Sequence, residues 1–392
     1  MEKPYNASME KKRTALLDSI SNDLSIVPIC ALLGPRQSGK TTLARQFAKS
    51  YKAPVHYFDM EDYTDLAKME NPKLIFEALS GLIVIDEIQR RPDLFPYLRV
   101  VTDTRKDIKF LILGSASRDL LQQSSETLAG RIAYISVTPF QLSEVGHQKQ
   151  LWLRGGFPKS FLADSDEQSY RWREIYMQTY FEKDLANLGL NLPPHRILKL
   201  WAMLAQYHGN ILNYSNMAQF LEVSTSTLKN YLALLEGTFM IRILPPWHEN
   251  RSKRLVKSPK LFIRDSGIYH NLQSIKNYQN LILDTQKGAS WEGFGLEEVI
   301  NALQLRNEEC YFWATHQMAE VDLFVTLDRY RIGFEFKCSD QPQITKSMRS
   351  GIESLDLHHL FIVTPVEESF PMEKKISVLA LKDCCRENVL NF

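Results

Sequence analysis

Gly34-Pro35-Arg36-Gln37-Ser38-Gly39-Lys40-Thr41 decides the reading of this chain. The eight residues fit the spacing G-x-x-x-x-G-K-[ST], in which a glycine-bearing loop turns its backbone N–H groups inward around phosphates. An apolar run, Ile29 to Leu33, precedes the loop, and a helical pattern, Thr41 to Tyr51, follows it. That order is the context the spacing requires, because the helix then points its positive end at the phosphates. The chemistry assigns Lys40 to the β- and γ-phosphates of ATP and the Thr41 hydroxyl to Mg²⁺. Gly34, Pro35, Arg36, Gln37, Ser38, Gly39 and Thr42 complete the nucleotide cradle. A plain glycine-rich turn with a solvated lysine would explain the glycines but not the strand and helix that bracket them.

Four more short apolar runs follow: Val55 to Phe58, Leu82 to Ile85, Phe110 to Leu113 and Ile132 to Val137. Each reads as a buried strand, and helical patterns lie between them. The alternation predicts a parallel sheet with helices on both faces. In Leu82-Ile83-Val84-Ile85-Asp86-Glu87 a buried strand ends in two carboxylates. Asp86 then emerges at the sheet edge where Mg²⁺ sits, and Glu87 stands ready to polarise the attacking water.

With both motifs in place, residues 30–135 resemble the core of an AAA+ ATPase. The resemblance implies that Ser115, ending Leu111-Ile112-Leu113-Gly114-Ser115, senses the γ-phosphate. It also implies that Arg131, in Thr127-Leu128-Ala129-Gly130-Arg131, is an arginine finger aimed at a neighbouring subunit's nucleotide, with Arg118 the second choice. A finger of that kind requires a homo-oligomer, a hexameric ring by analogy. Arg154-Gly155-Gly156-Phe157-Pro158 resembles a lid element of related signalling ATPases that packs a proline, here Pro158, near the adenine. A helix-breaking turn is the alternative for that run.

Composition bounds the rest. A length of 392 residues suggests two or three domains. The 44% apolar and 24% charged content excludes a disordered or low-complexity chain. Forty-seven basic against 46 acidic residues leave a net charge of +1, so any nucleic-acid surface must be local. The five cysteines form no C-x-x-C pair, which excludes a disulfide framework and a cysteine zinc site. No apolar run reaches membrane-spanning length, and Met1 to Arg13 carries no signal-peptide core. The expectation is a cytoplasmic protein with no membrane partner.

Past Pro139 the pattern turns helical up to the boundary at Pro193-Pro194. Asn213 to Leu221 and Thr225 to Glu236 then have helix–turn–helix spacing. Between Arg242 and Arg264 seven basic residues face one acid, Glu249. A basic wing there would grip DNA phosphates, with Arg251, Lys253, Arg254 and Lys257 as the contacts. A solvated loop or a subunit contact is the competing reading.

Near the C-terminus, Glu320-Val321-Asp322 and Glu335-Phe336-Lys337 lie on two strand patterns. A two-residue turn at Asp328-Arg329 would pair Leu327 with Tyr330, setting Asp322 opposite Glu335 and Glu320 opposite Lys337. Two carboxylates that close repel unless a cation lies between them. The pattern resembles the PD-(D/E)XK nucleases, although no proline precedes Asp322. That resemblance implies Mn²⁺ or Mg²⁺ held by Glu292, Asp322 and Glu335, with Lys337 assisting the nucleophile. A solvated, salt-bridged hairpin face is the alternative.

Residues 28–365 together resemble a family of bacterial and archaeal ATPases with a C-terminal region of unassigned function. The expected fold class is α/β: a P-loop AAA+ core over 1–138, a helical lid over 139–192, a winged helix–turn–helix over 193–264 and a restriction-endonuclease-like α/β domain over 265–392. The expected function is a Mg²⁺-dependent ATPase acting on DNA with a metal-dependent nuclease-like module. The alternative is a regulatory ATPase whose C-terminal modules bind protein and leave DNA uncut.

Overall fold

The structure is a computed structural model and describes residues 11–115, 128–180, 193–248, 256–315 and 319–391. Arg118, Arg251, Lys253 and Arg254 lie outside the described residues. Two compact units result: one runs up to Pro139 and includes Gly237–Phe239, and the other comprises Phe140–Glu236 and Met240–Phe392.

The first unit is a five-stranded sheet in the order β2-β3-β4-β1-β5, with β1 at Ile29–Leu33, β2 at Val55–Asp59, β3 at Gly81–Asp86, β4 at Ile108–Gly114 and β5 at Ile132–Ser136. Every pairing is parallel. All five residues of β1 are buried. Ile29, Ala31 and Leu33 pack with Phe76, Phe95 and Leu98. Cys30 and Leu32 pack with Ile20, Leu24, Leu43 and Phe47. An unbroken apolar run is what a strand covered on both faces requires, since alternate side chains point to opposite layers. The carboxyl ends of β1, β3 and β4 carry the phosphate loop, Asp86-Glu87 and Ser115 respectively. Parallel strands thus gather three distant segments at one edge.

The second unit begins with helices Leu142–Val145, Gln148–Arg154, Pro158–Phe161 and Asp166–Thr179. Helix Pro194–Gln206, strand β6 (Asn210–Ile211), helices Tyr214–Phe220 and Thr225–Gly237, and strands β7 (Ile241–Leu244) and β8 (Lys260–Ile263) follow. The three strands pair antiparallel in the order β6-β8-β7. Helix Lys287–Ala302 then packs against a six-stranded mixed sheet, β13-β14-β12-β11-β10-β9. Its strands are β9 at Cys310–Ala314, β10 at Glu320–Leu327, β11 at Tyr330–Phe336, β12 at His359–Thr364, β13 at Phe370–Glu373 and β14 at Ile376–Ala380. β10 and β11 pair from Leu323↔Phe334 to Leu327↔Tyr330 across a two-residue turn, with Asp328 in the left-handed region at φ 54°. Against β9, the register of β10 shifts between Val321 and Phe324, the stretch that holds Asp322. No helix among the described residues is long and apolar enough to cross a membrane.

Candidate functional site

The loop after β1 leads into helix Lys40–Ser50, capped by Gly39 at φ 95°, a conformation that favours glycine. Lys40 is buried, and its ammonium donates to the Gly34 and Pro35 carbonyls at 2.9 Å each. Burial draws its pKa down to about 8, against the opposing pull of Glu87 and Asp86. The Thr41 hydroxyl donates to Asp86 Oδ2 at 2.7 Å, so the two side chains expected to hold Mg²⁺ already meet. Burial raises the Asp86 pKa. Ser38 Oγ is buried in the loop with no hydrogen-bond partner among the described residues. The donor set therefore suits a phosphate with its divalent cation: an ammonium, a hydroxyl, a carboxylate and a helix N-terminus.

Glu87 follows Asp86 in the left-handed region at φ 54°, which turns it off the strand. Its Oε2 accepts from the Ser115 hydroxyl at 3.2 Å and from the Gln89 amide, which also donates to Ser115 Oγ at 2.9 Å. Ser115 is thereby brought to Glu87, and Gln89 enters the site unforeseen. Only its place two residues beyond the acidic pair could have signalled it. Arg13 was missed too: its buried guanidinium donates to the Ser38 carbonyl at 3.4 Å and to the Thr138 carbonyl at 2.9 Å. A lone arginine whose partners are backbone oxygens leaves no motif. Arg36 pairs with Glu61 at 2.8 Å.

Arg131 precedes β5, at the sheet edge opposite the loop, and grips Asp103 with two hydrogen bonds of 2.6 and 3.1 Å. Pro158 opens helix Pro158–Phe161 in the second unit.

The basic segment reads differently in three dimensions. Arg242 and Arg264 turn inward onto Glu297, with Arg242 Nη2 and Arg264 Nε each 3.0 Å from Oε2. Burial opposes ionisation of Glu297, yet the two arginines hold its pKa down at about 2. Lys260 is buried as well. Three of the seven charges are thus neutralised inside the fold, because β7 and β8 are buried almost throughout and their cations meet carboxylates there. Lys257 is exposed.

At the hairpin, Glu292, Glu320, Asp322 and Glu335 converge, but a lysine from outside the hairpin is among them. Lys260 Nζ lies 2.9 Å from Glu292 Oε1 and 3.7 Å from Asp322 Oδ1, and pairs with Glu320. Lys337 Nζ lies 3.0 Å from Glu335 Oε2 and 4.0 Å from Asp322 Oδ2. Strict alternation put Glu320 beside Lys337; Glu320 pairs with Lys260, just before the stretch where the register of β10 against β9 shifts. Among the described residues no group of three or more histidines, cysteines, aspartates or glutamates is arranged to hold a metal. The expected Glu292–Asp322–Glu335 metal set therefore meets an ammonium where the cation was placed.

Residues 27–146 match the family model described as "AAA domain". Residues 145–279 and 287–384 match two models described as domains of unknown function, DUF8612 and DUF4143. The chain is 44% identical over 352 residues to the uncharacterized protein Rv2008c of Mycobacterium tuberculosis, covering 89% of this chain and 79% of that one. The uncharacterized protein Mb2031c of Mycobacterium bovis matches with the same figures. Among solved structures, the chain is similar to the Walker-type ATPase PABY2304 of Pyrococcus abyssi, at 17% identity and TM-score 0.48, covering 67% of this chain and 96% of that one. The family match places an AAA-type domain over residues 27–146.

Proposed function

The chain belongs to one family with the uncharacterized mycobacterial proteins Rv2008c and Mb2031c, and from that premise we propose that it is a Mg²⁺-dependent ATPase. The observation that carries this is the 2.7 Å contact between Thr41 and Asp86 beside the buried Lys40. Lys40 supplies positive charge to the β- and γ-phosphates, and Thr41 and Asp86 hold Mg²⁺ at the carboxyl edge of the sheet. When bound, Mg²⁺ neutralises charge that develops on the transferring phosphoryl group. Glu87 orients the attacking water and accepts its proton. Ser115 and Gln89 fix one Glu87 oxygen, and the other, 4.0 Å from the Arg36 guanidinium, is the one offered to water. Arg131 completes the site of a neighbouring subunit in a ring.

DNA is the first partner in this reading. Its support is the order helix, strand, two helices, two strands over residues 194–263, which suits a winged helix, together with exposed Lys257, which follows Arg251, Lys253 and Arg254 in the sequence. A second reading, a regulatory ATPase whose C-terminal modules bind protein and leave DNA uncut, is favoured by the inward turn of Arg242, Lys260 and Arg264. Steady-state ATP turnover with Mg²⁺, measured with and without duplex and forked DNA, tests both. Turnover stimulated by DNA and falling steeply with salt supports the first reading. Turnover indifferent to DNA supports the second, and absence of hydrolysis under every condition overturns the ATPase itself.

A further inference from the structure

We propose that Lys260 is the built-in cation of the C-terminal acid cluster, standing where the nuclease resemblance calls for a divalent metal, so that this module as folded takes none. Lys260 opens β8, whereas the acids lie on helix Lys287–Ala302 and on the hairpin. Its side chain is 5% exposed, and its ammonium faces Glu292, Glu320 and Asp322 at once. A buried lysine persists as a cation only where opposite charge outweighs the loss of water. Three carboxylates around the one buried ammonium supply that opposite charge. The position is therefore electrostatically a cation site, already filled by the chain.

The remaining gap is closed by Lys337, which stands between Asp322 and Glu335. Asp322, the ligand a metal would need most, has an ammonium near each oxygen, and its Oδ2 also accepts the Phe336 N–H at 2.9 Å. A divalent ion bonds carboxylate oxygen at about 2.0–2.6 Å. It would have to share those oxygens with two ammoniums, in a buried setting where like charges repel strongly. Glu335 Oε1 is buried without a hydrogen-bond partner among the described residues. Two ammoniums thus stand among the four carboxylates.

The test is a Mn²⁺ titration of the nucleotide-free full chain at neutral pH, followed by electron paramagnetic resonance of the free ion. Wild type and Asp322→Asn should give the same isotherm, which subtracts any Mn²⁺ bound near Thr41 and Asp86. Lys260→Ala should gain one Mn²⁺ site that the double variant Lys260→Ala/Asp322→Asn lacks. Lys260→Met, which keeps the bulk of the stem, is the second variant should the alanine fail to fold. A wild-type isotherm that loses a site in Asp322→Asn overturns the proposal, as does a folded Lys260 variant that gains none. The ATP reading is untouched by either result, since its residues belong to the other unit.

Discussion

At the residue scale, Lys40 carries the nucleotide chemistry of the proposed ATPase, and its environment gives that chemistry a pH dependence. Before nucleotide arrives, burial holds its pKa at about 8. Phosphate charge beside the ammonium raises that value, so binding takes up a proton wherever the free side chain has lost one. The sign follows: affinity for ATP is flat below pH 8 and falls above it, by about tenfold per unit once uptake is complete. Calorimetry at pH 8.5 in two buffers of different ionisation heat should show proton uptake that vanishes at pH 6.5. Affinity unchanged from pH 7 to 9.5 would contradict this. Lys40, Thr41 and Asp86 were legible because their spacing is a local signal. Gln89, Arg13 and Lys260 were not, since each acts through partners that only the fold brings near.

Among the elements, the Gly155-Gly156-Phe157-Pro158 turn shows what a motif conceals. Asp265 caps helix Ser266–Leu272 by accepting the Ile268 N–H at 2.8 Å, and it also accepts the Gly156 N–H at 2.8 Å. Gly155 has φ 72°, and a Cβ there would lie 2.1 Å from Asp265 Oδ1. The glycine thus seats a helix cap 109 residues away from its neighbour in sequence, a distance no local pattern spans. Gly155→Ala should destabilise the fold by more than about 2 kcal/mol, through backbone strain plus a lost cap. Gly146→Ala, also at positive φ but facing open space, should cost about 1 kcal/mol. Chemical denaturation of both variants measures the difference, and equal losses would remove Asp265 from the explanation. The basic segment carries the same lesson. Sequence counts charges, but strands β7 and β8 decide that Arg242 and Lys260 face inward.

For the whole molecule, five apolar runs placed the parallel sheet of the first unit; β1, β3 and β4 are buried as expected, whereas β2 and β5, expected to be buried too, are edge strands and only partly covered. The single second unit was less legible, as its helices and two sheets share cores that join residues far apart in sequence. Assembly is the property the chain cannot express alone. Arg131 stands at the sheet edge away from its own loop and is held by Asp103. In the proposed ring it would exchange that partner for a neighbour's γ-phosphate. Arg131→Ala should keep ATP binding and lose turnover by about 10³-fold, the lower range for an arginine finger. Light scattering with ATP and Mg²⁺ should detect the oligomer, and a fully active monomer would contradict it. The central claim, that this chain hydrolyses ATP through Glu87 beside a Mg²⁺ held by Thr41 and Asp86, rests on one comparison: ATP affinity and steady-state turnover of wild type and Glu87→Gln. The account predicts unchanged affinity and turnover lower by about 10²–10⁴-fold. Equal turnover by the two proteins would contradict it.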